Sequence, residues 1–323
     1  MRKIAVVIAA AALTVLALTG CESGGEDGEG VRVVATTTIL GDLAQNVIGD
    51  GGDVVVLMPI GVNPHDFQPS AQQVAAIQKA DLVIASGLGL EEGLSDVLEA
   101  AASDGVRVWE VGPDIEPRDF VEAPGDGHED EDGHEDEDGD EDEHGRLDPH
   151  FWLDPIKDAS AARQLADHLD QVAPGVDWSE RAEAYAQELE AVHGESVEML
   201  SVVADGDRRL VTNHRAFGYF SDRYGFEMIG TVIPGGATLA NPSSSELASL
   251  VETIEREQVP AIFTETVESD TLARTVAAEV GYDVAIVELY TGSLGEPGTE
   301  GDTLLGLLRA NARRIANALG REQ

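Results

Sequence analysis

The chain has 323 residues, with 62 acidic against 20 basic side chains, a formal net charge of −42 and an isoelectric point near 4.2. Such a balance excludes a nucleic-acid-binding surface, which needs clustered cations to meet a phosphate backbone. The length allows a substantial buried core and fits two domains better than one.

Met1-Arg2-Lys3, an apolar run from Ile4 to Leu18 and Thr19-Gly20-Cys21 open the chain. A short basic head before an apolar segment of this length predicts a secretory signal, too short for a lasting membrane span. Leu18-Thr19-Gly20-Cys21 resembles a bacterial lipobox, in which the cysteine is lipidated and becomes the new N-terminus. Cys21 is the one cysteine, so a disulfide or a cysteine-based metal site within the chain is excluded. The polar, glycine-rich residues 22–30 read as a flexible leash.

Alternation of short apolar strands and helices begins at Val31. Strands are predicted at Val31–Thr37, Asp53–Pro59, Ala80–Ser86 and Val106–Val111, with helices at Leu40–Ile48, Pro69–Lys79 and Leu90–Ala102 between them. Residues 113–145 break the rhythm: Asp126 to His144 alone holds 13 acidic residues and three of the eight histidines, His128, His134 and His144. Such a run has nothing to bury against the entropy of ordering and predicts a metal-collecting tether without a packed structure of its own. A helix over Ile156–Val172 follows, then an uninterrupted helical pattern from Asp177 to Ala204, with Ala182, Tyr185, Leu189, Val192, Val197 and Leu200 in phase. Taken as about 25 helical residues, it is roughly 38 Å long at 1.5 Å per residue, enough to link two lobes. Its stiffness predicts a small lobe movement in place of a wide hinge.

The alternation then resumes, with strands at Arg209–Asn213, Phe226–Ile233, Pro260–Glu265 and Asp283–Glu288 and helices from His214 through Tyr224, Ser243–Glu257, Ser269–Val280 and Asp302–Leu319. The fold class is α/β, two successive lobes with mostly parallel sheets. The first lobe spans 31–175 with the acidic loop at about 116–147 inside it, the connecting helix 176–204, and the second lobe 205–323.

His65 and His214 fall just past the carboxyl ends of predicted strands, the edge at which open α/β sheets bind ligands, while His150 sits between two Asp-Pro turns after the acidic run. Three neutral imidazoles and one oxygen are a common tetrahedral set for zinc and suit other first-row divalent ions. Oxygen candidates are Asp66, Glu265 and Glu288, each open to ligation or to orienting an imidazole. His168 and His193 fall within helices and are expected to face solvent.

Four blocks carry a resemblance: Asn63-Pro64-His65-Asp66-Phe67-Gln68-Pro69-Ser70, Asp148-Pro149-His150-Phe151-Trp152-Leu153-Asp154-Pro155, Asn213-His214-Arg215-Ala216-Phe217-Gly218-Tyr219-Phe220 and Ile262-Phe263-Thr264-Glu265. They resemble the ligand blocks of the cluster A-I solute-binding proteins, the zinc and manganese receptors of bacterial ABC importers. The resemblance covers Val31 to Leu319 and implies two Rossmann-like lobes joined by one backbone helix, with metal in the cleft between them. It implies His65, His150 and His214 as ligands and Glu265 at or near the site. Many relatives place an aspartate ligand in the block aligned with Leu289–Gly295, and Gly292 stands in its place here, leaving water or Glu265 as the fourth donor.

A histidine-containing acidic insertion ahead of the second histidine block is commoner in the zinc receptors of that family. The expected function is therefore a lipid-anchored, extracytoplasmic receptor that captures Zn2+ and hands it to a permease and its ATPase, with monomer as the default state. A manganese or iron receptor of the same fold is the alternative. A secreted zinc hydrolase would also use three protein ligands and a water, but the chain has no His-Glu-x-x-His run and no base at a fixed spacing from a ligand.

Overall fold

A computed structural model describes residues 30–120, 147–234 and 242–320. The chain runs β1 (Val31–Ala35), α1 (Thr38–Ile48), β2 (Gly52–Val56), α2 (Ala71–Ile77), β3 (Leu82–Ala85), α3 (Ser95–Ser103), β4 (Arg107–Glu110) and the single turn α4 (Val111–Asp114). Helices α5 (Pro155–Val172) and α6 (Trp178–Leu200) follow. The second half is β5 (Arg209–Thr212), α7 (Gly218–Tyr224), β6 (Glu227–Thr231), α8 (Ser244–Glu257), β7 (Ala261–Glu265), α9 (Thr271–Glu279), β8 (Ala285–Leu289) and α10 (Leu304–Leu319).

Each half forms a four-stranded parallel sheet, ordered β2-β1-β3-β4 in the first and β6-β5-β7-β8 in the second. The second sheet thus repeats the first strand for strand, although no sequence repeat is visible between them. Parallel pairing requires crossovers, and the intervening helices supply them.

Strand side chains alternate between two cores, as a period of two demands. Val33 and Ala35 of β1 and Leu82 and Ile84 of β3 face a central core, while Val34, Val83 and Ala85 face a smaller one. In the second sheet Leu210 and Phe263 face the same central core, and Val211 and Ile262 face a third cluster with α8 and α9. The central core is continuous across both lobes, with side chains of α1, α5, α6, α7 and α10 between the two sheets.

Helix α6 is the axis of that core. Its first turns meet the first lobe: Tyr185 Oη donates to Asp42 Oδ2 on α1 (3.0 Å), and Arg181 Nη1 donates to the carbonyl of Ile48 (2.5 Å). Its later turns reach α10, where Arg309 pairs with Glu195. The sequence pattern overruns this helix by a few residues. It ends at Leu200, Val197 is half exposed, and buried Ser196 takes the inward place. Residues 92–94 form a 3-10 turn, so α3 begins at Ser95 and not at Leu90.

The two helical histidines are only partly exposed, each with one face covered by an aromatic ring. His168 stacks on Trp109 with ring centroids 4.4 Å apart, and His193 stacks on Tyr224 at 5.6 Å. Cys21, His128, His134 and His144 lie outside the described residues.

One buried polar group in α5 has no evident service. Asp158 is fully buried and neither carboxyl oxygen has a hydrogen-bond partner. Burial, with Asp154 adding to it, raises its pKa well above the ordinary carboxylate value, so it folds as the neutral acid. A carboxyl whose folded pKa is raised contributes stability that is complete below the unfolded value and is lost as pH rises through the folded one. Asp158→Asn is therefore expected to raise the denaturation midpoint relative to the parent at pH 8–9 and to change it little at pH 4. Denaturant melts at both pH values check this, and an equal effect at the two would show that ionisation is not the cause.

Candidate metal centre

Two of the four blocks begin with the same local device. In Asn63-Pro64-His65 and Asp148-Pro149-His150 the first side chain accepts a hydrogen bond from the histidine's own backbone N–H, at 3.0 Å in both cases. Such an Asx turn, with proline fixing φ at its centre, sets the imidazole's exit direction without help from a regular element. His65 lies in a 3-10 turn after β2, and His150 in the turn before α5. Asp154 ends the second block by capping α5, its Oδ1 accepting from Ile156 N (2.9 Å), with Pro155 at the first helical position. His214 follows β5 directly, and Glu265 ends the neighbouring β7.

The three predicted histidines come together between the lobes. His150 Nε2 lies 3.2 Å from His65 Nε2 and 3.2 Å from His214 Nε2. Two nitrogens at about 2.0–2.1 Å from a zinc ion with a tetrahedral angle between them are roughly 3.3 Å apart, so the cluster has the span of a ligand set. His150 and His214 are almost wholly buried, and His65 is half-buried beside a cavity of ≈ 330 Å³ lined by His65, Asp66, Gln68, Glu92 and Gly93. Among the described residues this is the one group of three or more histidine, cysteine or acidic side chains with metal-binding spacing.

Behind two of the imidazoles stand carboxylates. His150 Nδ1 donates to Asp148 Oδ1 (2.9 Å), and His214 Nδ1 donates to Glu265 Oε1. With Nδ1–H committed backwards, each Nε2 presents its lone pair to the centre. Glu265 Oε2 is taken as well, accepting from Thr291 Oγ1 (2.5 Å), so both oxygens of this carboxylate are hydrogen-bonded to neighbouring side chains. Asp66 is exposed on the rim beside His65, and Glu288 is exposed on β8; neither joins the cluster. At Gly292 an added Cβ would lie 2.7 Å from Pro64 Cδ, so the proline of the His65 block fills the space a side chain there would take.

Electrostatics favour neutral imidazoles at two of the three positions. Burial, followed by the neighbouring His150 and His214, pushes His65 down to about 2, and burial likewise holds His150 well below its ordinary value. Burial opposes charge on His214 too, but the Glu265 carboxylate beside it raises its pKa; Glu265, opposed by the same burial, is held low by His214.

Asp148, Thr291 and Trp152 are site residues that the sequence reading did not single out. For Asp148 the signal was present, since an acid two residues before a histidine and followed by proline is an Asx-turn pattern. Nothing local marks Thr291, which acts from a loop 26 residues beyond Glu265. Trp152 Nε1 donates to the carbonyl of Thr291 (2.8 Å) and ties the His150 block to that loop. Around the cluster, Gly61 N donates to Ser293 Oγ (2.9 Å) and Asn63 Nδ2 to Glu268 Oε1 (2.5 Å), closing the two lobes on each other.

Comparison with known proteins bears on what such a centre serves. Manganese-binding lipoprotein MntA of Halalkalibacterium halodurans is 28% identical over 304 residues, covering 93% of each chain. The manganese ABC transporter substrate-binding lipoprotein PsaA of Streptococcus mitis is 27% identical over 320 residues, covering 96% of each. Among solved structures, the periplasmic zinc binding protein TroA from Treponema pallidum superposes with a TM-score of 0.77 at 26% identity, covering 90% of this chain and 100% of that one. These relatives are substrate-binding receptors, and the chain is a binding protein and not an enzyme. Residues 33–318 match the family described as zinc-uptake complex component A, periplasmic, and with the paired parallel sheets and the histidine cluster at their junction the chain belongs to that family of metal ABC transporter solute-binding proteins.

Proposed function

We propose that this protein is the lipid-anchored, extracytoplasmic receptor of a zinc importer, and that its cargo is held by His65, His150 and His214. The observation that carries the choice of zinc is the donor set. Three imidazole nitrogens face one point, and among the described residues no carboxylate oxygen stands with them. Imidazole suits zinc, whereas manganese is better served by carboxylate, carbonyl and water oxygens and by higher coordination. In this reading Glu265 and Asp148 hold their histidines in place, and a water supplies the fourth position.

The other parts of the reading fit that role. Cys21 is the lipidation site, as in relatives named lipoproteins, and a permease with its ATPase receives the ion from a monomeric receptor. His128, His134 and His144 with their acidic neighbours gather cations for the receptor. The lobes are 31–175 and 205–323, with 176–204 between them, and the core they share through α6 keeps their movement on loading small.

A manganese receptor is the second reading, favoured by the relatives whose names state that metal. Competition calorimetry on the chain from Glu22 onward, titrating zinc against manganese, decides between them. One tight zinc site that manganese displaces only at large excess is the expected result. Manganese outcompeting zinc would overturn the choice of cargo and leave the receptor role standing.

A further inference from the structure

Asp148 turns one carboxylate oxygen to His150, and its other oxygen is held from outside the cluster. Arg118 Nη1 donates to Asp148 Oδ2 (3.4 Å), and Arg118 Nε lies 2.9 Å from Asp222 Oδ2 on α7 of the second lobe. The guanidinium carbon sits 5.7 Å from the centroid of the Tyr219 ring, also on α7. The hydroxyl of Tyr219 donates to the carbonyl of Asp148 (3.0 Å) and accepts from Arg118 N (3.2 Å). Asp148 N donates to the carbonyl of Arg118 (2.8 Å), and the next residues pair as a bridge between Asp119 and Leu147. Gly218 starts α7 at this point because a Cβ there would collide with both Arg118 Nη1 and Asp148 Oδ2.

We infer that Arg118 is a positioning residue for metal capture, fixing the Asp148 carboxylate so that His150 Nδ1–H has one acceptor and Nε2 one direction. The argument is geometric. Asp148 is fully buried, and its carboxylate can rotate about its own side chain unless both oxygens are held. The His150 N–H groups hold one and Arg118 the other. Arg118 is itself held on two sides, by Asp222 and by the face of Tyr219, so the orientation of a histidine in one lobe is set by a helix of the other. Lysine would not do the same, since a single ammonium cannot reach Asp148 and Asp222 from a planar fork.

The inference rests on the receptor reading, and two measurements keep them apart. In the metal-free chain, proton and nitrogen NMR of the imidazoles should show the His150 Nδ1–H signal moved or exchange-broadened in Arg118→Gln, with the His214 signal unmoved. In zinc titrations the same variant is expected to bind about 10- to 100-fold more weakly, the range seen when a group that orients a metal ligand is removed. Arg118→Lys should recover only part of that loss. Arg223→Gln is the control: it breaks a comparable clamp, in which Arg223 Nε and Nη2 donate to Asp154 at 2.8 Å each, without touching Asp148. It should lower the melting temperature and leave zinc affinity within about threefold. An unmoved His150 signal, zinc affinity within threefold of the parent in Arg118→Gln, or an equal loss in the control would overturn the inference. Failure of the parent chain to take up either zinc or manganese, with the His150 signal still displaced in the variant, would overturn the receptor reading alone.

Discussion

His150→Ala should abolish tight metal binding, with a loss greater than about 100-fold, or more than about 2.7 kcal/mol. The histidine is the middle member of the cluster: its Nε2 stands 3.2 Å from the Nε2 of both of the others. Removing it deletes one donor and also the reference against which the remaining two converge. The truncation leaves the fully buried Asp148 carboxylate without its imidazole partner, which disfavours a compensating geometry. Isothermal titration with zinc, supported by a melting temperature measured with chelator, separates lost binding from lost folding. A variant that still bound zinc within tenfold of the parent would move the site away from this cluster. Glu265→Gln is the companion variant: it should weaken zinc binding about 10- to 100-fold without abolishing it, since that carboxylate orients His214 and is not itself a ligand in this reading.

The three ligand candidates were legible in the sequence because each lies in a block whose local chemistry fixes its position. Asn63-Pro64 and Asp148-Pro149 announce Asx turns, and Asn213-His214 follows a strand of four buried or half-buried residues, so that all three histidines fall at sheet edges or turns. The α/β rhythm was equally plain, since burial on both faces of strands such as β1 and β7 leaves short apolar runs that no loop would carry. What the sequence could not supply is the pairing of distant groups. Arg118 is 30 residues from Asp148 and reads as one basic residue in an acidic stretch; only the fold brings it to the carboxylate. His168 and His193 were misread for the same reason, because the aromatic rings that cover them, Trp109 and Tyr224, come from other elements. Glu265 stood as an open choice between ligand and support, and only the direction of Thr291 Oγ1 gives its second oxygen a partner.

Trp152→Ala should be the most destabilising single change near the site, costing about 3–5 kcal/mol in a metal-free denaturant titration. The indole is 1% exposed, stands edge-on to Phe151 with ring centroids 5.6 Å apart and lies 5.4 Å from the His150 ring. Truncation opens a cavity in the central core that both lobes share, where neither sheet can collapse inward without moving the other. It also strips the donor from the buried carbonyl of Thr291, a further cost of about 1–3 kcal/mol that Trp152→Phe should show almost by itself. The conservative variant thus separates the two contributions: the phenyl ring fills much of the space but donates nothing. The site feels the same change, because Thr291 carries the hydroxyl that holds Glu265, and Glu265 in turn orients His214. Trp152→Phe is therefore expected to lose metal affinity out of proportion to its modest loss of stability, whereas a variant in an outer core, such as Ile254→Ala on α8, should lose stability alone. Chelator must be present in the stability measurement, since bound metal would stabilise the parent more than the variant and inflate the difference. If Trp152→Phe and Ile254→Ala changed zinc affinity equally, the link from the His150 block through Thr291 to Glu265 would have no bearing on binding.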